Sequence, residues 1–431
     1  MALNADHELF GDVRTQLDAL ITEDKLQMNL HAAPLLTLKA VYAPASEHST
    51  AQHFLILQYH HLVMDHISVD ILMEEVQAYI DGQTSRMAAP LPYRNFVAHA
   101  LVQANREEGP KYFSEQLSHI DTVTAPFAIS ELDNDAHIEE AIAPLDADVS
   151  QQIYALSQQY HISPATLFHL AWGLVVSRTS ETSKTSETSD DVVFGTVMSG
   201  RLQGTEGAGR IFGMFLNMLP LRLSFERETT VDAAIHATHK ALIGLLPFEQ
   251  TPLTVAQQCS GVASGSPLFS AMLNYRHSGK GVDNTGDTAS DDDSGMDRIE
   301  AVGGYERTNY PFTCSVDDLG NNFILTLQVD ARVGAARMLE YMQQALTGLT
   351  NALAKQPSQA LASIDILPAS EREQLLSTFN QTDAAYPRDA SIPALFEHYA
   401  GSTPDAIAVR FNDTSLTYAQ LNTQANGVDI N

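Results

Sequence analysis

The sequence predicts an α+β fold. Short apolar runs rich in β-formers recur at widely spaced positions, long helical stretches lie among them, and no regular strand–helix alternation links them. The first strand signal is residues 53–59 (HFLILQY), an apolar run bounded by polar residues that ends at His60-His61. A helix over residues 68–81 follows. Ile71, Leu72, Val76, Tyr79 and Ile80 share one of its faces, Ser68 is placed to cap its start and Gly82 stands just past its end. Residues 151–177 read as two helices broken at Ser163-Pro164, and residues 191–197 as a strand. Further strands are expected over 214–223, 269–275 and 323–329, and a long helix over 335–355. At Leu367 the chain changes character. A connector runs through Tyr386-Pro387-Arg388, after which a new helix and a hairpin-like segment over 406–418 begin.

The 431 residues carry 24 Lys+Arg against 53 Asp+Glu, a formal net charge of −29. A field of that sign repels phosphate backbones and anionic lipid, so neither nucleic acid nor a membrane surface is expected as a partner. Apolar runs fall short of the ~20 residues that span a bilayer, the opening MALNADHELFGDV lacks the basic and apolar parts of a secretory signal, and there are only two cysteines, Cys259 and Cys314. A cytoplasmic chain without disulfides is the expectation. The acid excess is regional: residues 112–177 hold nine acids and no Lys or Arg, while residues 281–300 and 179–191 add two acidic, Ser/Thr/Asp/Gly-rich runs. The two shorter runs read as solvated loops.

One segment concentrates chemistry. His60-His61-Leu62-Val63-Met64-Asp65-His66 places three imidazoles and a carboxylate at a strand-to-helix turn. Imidazole titrates near neutrality and can exchange a proton with a reacting amine or hydroxyl. Neighbours leaving a strand point to opposite sides, so one of His60 and His61 faces a cleft while the other braces the turn. Asp65 can pair with a distant arginine and pin the turn. A purely structural, locally bonded set of turn histidines is the competing reading. Zinc is disfavoured, because His61 and His66 have no third ligand at a recognisable spacing. No GxSxG elbow, P-loop or strand-linked GxGxxG occurs, and the Gly-rich residues 204–209 read as a flexible loop. His-centred acyl or group transfer is what remains.

His60 to Asp65 resembles the HHxxxDG core of nonribosomal peptide synthetase condensation domains. Further motifs of that family are matched in order by Pro90-Leu91-Pro92-Tyr93-Arg94-Asn95-Phe96, Gly200-Arg201, the stretch from Gly213-Met214-Phe215 through Asn217 to Arg222, Leu246-Pro247-Phe248-Glu249, Ser266-Pro267-Leu268-Phe269 and Asn309-Tyr310-Pro311. The resemblance covers residues 35–355. It implies two chloramphenicol-acetyltransferase-like lobes forming a V around a central tunnel, over residues 1–178 and 192–355, with the N-lobe incomplete because the family's first core segments are missing. It also implies peptide-bond formation between a donor thioester and an acceptor aminoacyl thioester, presented by donor and acceptor peptidyl carrier domains on phosphopantetheine arms, with no cofactor bound covalently and no metal.

By the same resemblance, His61 is the general base, or the group that positions the amine and stabilises the tetrahedral intermediate. Asp65 braces the turn through Arg201, and His60 packs behind it. Asn217 and Arg222 lie on a segment crossing between lobes, and residues 247–249 on a loop near the tunnel. His66 replaces the family's usual Gly and adds a side chain at the turn, while the intact His60-His61 pair argues against heterocyclisation domains. Residues 356–391 resemble the condensation–adenylation linker, and residues 392–431, through Thr403-Pro404-Asp405-Ala406 and Leu416-Thr417-Tyr418-Ala419-Gln420-Leu421, the start of an adjacent adenylation domain. Two further functions stay open: a non-catalytic carrier-docking fragment, and a stand-alone CoA-dependent acyltransferase of the same fold.

Overall fold

The computed structural model describes residues 13–21, 28–45, 51–104, 106–133, 136–181, 183–186, 189–202, 207–277, 302–304, 306, 308–385 and 388–427. The acidic run 281–300 and the Tyr386-Pro387 pair lie outside them, as do residues 203–206 of the Gly-rich stretch. The chain divides into two units, Met1–Pro368 and Ala369–Asn431.

In the first unit, β1 (Leu36–Ala43) and β2 (Gln52–Tyr59) form a two-stranded antiparallel sheet running from Leu36 opposite Tyr59 to Ala43 opposite Gln52. Alternation gives the ribbon two faces. Val41, Ala43, Phe54 and Ile56 pack with Leu17 at the helix Val13–Asp18, whereas Leu38 and Leu55 on the other face are exposed. β2 delivers the chain to His60, whose N–H bonds the carbonyl of Leu35.

A seven-stranded mixed sheet forms the larger body. Its strands are β3 (Ile138–Pro144), β4 (Ser183–Ser186), β5 (Ser189–Met198), β6 (Asn217–Glu226), β7 (Ala271–His277), β8 (Phe312–Asp318) and β9 (Phe323–Asp330). The order is β3-β9-β8-β7-β5-β4, with β6 also paired to β5; β7 runs parallel to both β5 and β8, and the remaining pairs are antiparallel. Helices Ala147–Tyr160, Pro164–Thr179, Val231–Leu245 and Ala335–Lys355 pack on one another and on this sheet. The break at Ser163-Pro164 is as expected: Ser163 caps the second helix by accepting from the Ala165 N–H, and Pro164 occupies the first turn, where its missing N–H costs no bond. From Thr166 to Val176 that helix is buried all round, with Phe168 and Trp172 wholly enclosed. The helix Ala335–Lys355 has the expected bounds. It buries Met338, Leu339, Met342, Leu346 and Leu349, a stripe at three- and four-residue spacing.

Three expectations are corrected. The helix after the histidines starts at His66, and its cap is Asp65, not Ser68, because the Asp65 carboxylate reaches the Ser68 N–H. Residues 179–191 are not simply a solvated loop: β4 and the start of β5 pair within them, and Asp191 is buried against Arg222. The strand expected over 214–223 is shifted to Asn217–Glu226, since the Phe215 N–H is taken by Asp65 and the Met214 carbonyl by the Tyr93 hydroxyl.

The second unit holds helices Ala369–Leu376, Ile392–Ser402 and Tyr418–Gly427, and an antiparallel hairpin of β10 (Ile407–Phe411) and β11 (Thr414–Thr417). Ser391 caps the middle helix, and Phe396, Tyr399 and Tyr418 group their rings. Among the described residues no helix is long and apolar enough to cross a membrane.

Candidate active site

The turn after β2 is tied by its own first residue. The Leu62 N–H donates to His60 Nδ1 at 3.1 Å and the Val63 N–H to the His60 carbonyl, so His60 closes the turn through both ring and backbone. Met64 and Asp65 then dive into the interior at 0% exposure.

A carboxylate with no access to water must find its partners in protein, and Asp65 finds five bonds. Oδ1 accepts from the Ser68 N–H (2.9 Å), the Ser68 hydroxyl (2.8 Å) and Arg201 Nη2 (2.8 Å). Oδ2 accepts from Arg201 Nη2 (2.9 Å) and the Phe215 N–H (3.3 Å). Arg201 stacks on the Phe215 ring at 3.9 Å and donates through Nη1 to the Ala208 and Ile211 carbonyls. Two glycines allow this approach. Gly200 has φ +65°, and a Cβ there would stand 1.9 Å from the Phe215 carbonyl oxygen. At Gly213 a Cβ would strike the Tyr93 ring at 2.2 Å, while its N–H donates to the Ser68 hydroxyl at 3.0 Å.

His61 is treated differently. Its side chain is 38% exposed, it meets Tyr59 edge-on at 5.8 Å, and Nε2 lies 2.9 Å from Glu306 Oε1. Glu306 Oε2 lies 3.6 Å from Arg276 Nη1. Arg276 in turn is gripped by Asp317, Nε to Oδ1 at 2.7 Å and Nη2 to Oδ2 at 2.8 Å, across register partners of β7 and β8. The Glu306 bond raises the pKa of His61 above the ordinary imidazole value, against a burial that lowers it. His61 in turn holds Glu306 below the usual carboxylate range. Nδ1 of His61 is buried without a hydrogen bond of good geometry, although the Met64 backbone is near enough to favour the protonated ring.

The other expected residues divide. His66 opens the helix close to this group; burial lowers its pKa, so it adds a neutral ring. Asn217 does not join His61: its amide donates to the Glu249 and Thr251 carbonyls at 2.8 and 2.7 Å and pins that loop to β6. Arg222 pairs with the buried Asp191. Glu306, Arg276 and Asp317 were not expected. Glu306 lies 245 residues from His61 and three before the Asn309-Tyr310-Pro311 motif, and only the register of β7 on β8 connects the other two. Among the described residues no group of three His, Cys, Asp or Glu is placed to hold a metal ion. The arrangement offers one half-exposed imidazole with an exchangeable proton, on a turn anchored by the buried, multiply bonded Asp65.

The model of the condensation domain family matches residues 8–376. Malpibaldin synthetase of Mortierella alpina is 34% identical over 419 residues, which is 97% of this chain and 7% of that synthetase. Malpinin synthetase of the same organism is 36% identical over 378 residues, 88% of this chain and 5% of the synthetase. The chain thus spans a small part of the curated relatives it matches. Among solved structures, a four-domain nonribosomal peptide synthetase in its holo form, bound to AMP and glycine, superposes with a TM-score of 0.73 at 16% identity, over 96% of this chain and 31% of that one. The condensation domains among the structural neighbours share the chloramphenicol-acetyltransferase-like fold. With its mixed sheet and that family match across most of its length, the chain belongs to the condensation domain family of nonribosomal peptide synthetases, a family that forms amide bonds.

Proposed function

We propose that this chain joins a donor acyl or peptidyl group to an acceptor amine, both carried as phosphopantetheine thioesters on carrier domains. The acceptor nitrogen attacks the donor carbonyl carbon. The C–N bond forms, the C–S bond breaks, a proton leaves nitrogen and one arrives on the departing sulfur. His61 is the group that handles this proton traffic and orients the amine. The observation that supports the assignment is the contrast inside one turn: Asp65 is wholly buried and saturated with bonds, while His61, four residues before it, is half-exposed and has its proton affinity raised by the Glu306 bond. Asp65 and Arg201 brace the turn, His60 closes it, His66 fills the space beside it and Asn217 fixes the neighbouring loop. The phosphopantetheine arms belong to the carriers, so the chain itself needs no covalently bound cofactor.

In this reading residues 356–391 are a linker and residues 392–431 the start of an adjacent adenylation domain. Their motifs support it, as does the match of 97% of this chain to malpibaldin synthetase. A cytoplasmic setting is part of the same reading, in keeping with a sequence that has only two cysteines.

The test supplies loaded donor and acceptor carriers to the chain and to His61→Ala, and follows condensed thioester by mass spectrometry. Product with the first and not the second is expected. Equal product from both overturns the assignment. Carrier binding without turnover would favour a docking fragment, and turnover of free acyl-CoA a stand-alone acyltransferase.

A further inference from the structure

The Asp65 side of the turn is explained by its bonds, but the partner of His61 has no place in that account. A half-exposed histidine–carboxylate contact on a surface is often incidental and contributes little. This one is built. The Glu306 backbone is held by Gln328, a buried residue of β9 whose amide donates to the Glu306 carbonyl at 2.6 Å and to Glu140 at 2.9 Å. One carboxylate oxygen of Glu306 faces Arg276 of β7, which Asp317 of β8 clamps with two short bonds. Three adjacent strands therefore position one carboxylate, and its free oxygen meets His61 Nε2 at 2.9 Å.

We propose that Glu306 is a positioning residue for His61: it fixes the imidazole by its outward nitrogen, with Arg276, Asp317 and Gln328 as the scaffold that holds Glu306 in place. The proposal rests on His61 being the reactive group. A carboxylate can only accept, so the contact requires a proton on Nε2. A carboxylate on one ring nitrogen selects the tautomer and locks the ring plane, the service that a buried acid renders to a reactive histidine in unrelated enzymes. Here the bonded nitrogen is the outward one, and Nδ1 is turned into the turn beside Met64. That N–H points at Glu306, so the tautomer and the ring plane of His61 are set before a substrate arrives. Charged and titratable groups reach this pair from the neighbouring elements: Tyr59 on β2, Asp65 in the turn, His66 on the following helix, and Arg276 on β7. Glu306 is the one that hydrogen-bonds the His61 ring, and the higher proton affinity of His61 follows chiefly from that bond.

The test uses the full chain with isotope-labelled histidine, the His61 signal being assigned by its loss in His61→Gln. Glu306→Gln keeps an acceptor oxygen and removes the charge, so the His61 titration midpoint should fall toward the ordinary value of about 6.5. An unchanged midpoint overturns the proposal. In the condensation assay, Glu306→Ala should lower kcat about a hundredfold, the scale of loss when a reactive group is misplaced by about an ångström. The KM for the acceptor should barely move, and Glu306→Gln should retain more kcat than Glu306→Ala. A change in acceptor KM with kcat intact would make Glu306 a substrate-binding group and overturn positioning. Full activity in His61→Ala would instead remove the reading on which the proposal rests, and the titration would still decide whether Glu306 holds the ring.

Discussion

Asp65 and His61 stand four residues apart on one turn and meet opposite physical regimes. Asp65 has no exposed surface and five hydrogen bonds, two of them to a guanidinium that is itself stacked and bonded. His61 keeps over a third of its side chain open and one strong partner, itself half-exposed. Burial converts a charge into architecture, because its removal leaves an unpaired cation in a dry place. Exposure converts a titratable ring into chemistry, because its proton can leave and return at little cost to the fold.

The largest test of that contrast is Asp65→Ala. Stranding Arg201 should cost about 3–5 kcal/mol, seen as a clear drop in melting temperature and in expression of folded chain. If the melting curve moves no more than that of His61→Ala, Asp65 is not the brace. Gly200→Ala attacks the same hub from the backbone. The positive φ and the collision with the Phe215 carbonyl should cost about 1–3 kcal/mol, and a variant as stable as the parent would show that the turn before Arg201 can relax. His61→Ala should change stability by less than about 1 kcal/mol while lowering condensation by about 10²–10⁴-fold; losing both together would erase the distinction between brace and worker.

The smallest effect is a pH signature. His61 binds its proton more tightly when folded, so its contribution is complete below about pH 6.5 and fades as pH rises through the raised value. Glu306 binds its proton more weakly when folded, so its contribution is complete above about pH 4.3 and fades as pH falls through the lowered value. The stability difference between the parent chain and Glu306→Gln should therefore peak between those limits and shrink on the alkaline side. At this exposure it should stay under about 1 kcal/mol. A difference flat from pH 5 to pH 9 would deny the coupling.

How much of this could be read beforehand follows from where each signal lives. The turn was legible because its histidines and carboxylate are contiguous, and the Ser163-Pro164 break because capping chemistry is local. The Asp65–Arg201 pair came from motif resemblance, which carried a contact across 136 residues. Ser68 was misread as the cap because either residue has the chemistry; only the backbone shows that Asp65 reaches the Ser68 N–H. The hairpin within residues 179–191 was hidden by composition, since Ser, Thr and Asp look solvated until a partner strand pairs with them. Glu306 was invisible because nothing in a linear reading sets the alignment of β7 on β8.

That alignment has a consequence for how such chains can change. Arg276 faces Asp317 because those two strands pair in one particular way. Chain added to or deleted from the connection between His277 and Phe312 leaves that pairing intact wherever Glu306 keeps its distance from β8. A single residue inserted within β7 ahead of Arg276 would turn the guanidinium to the other side of the sheet. Natural variation should therefore accumulate as length in the connection and be purged as length in the strands, so that an insertion of one residue does more harm to His61 than an insertion of twenty placed a few positions away.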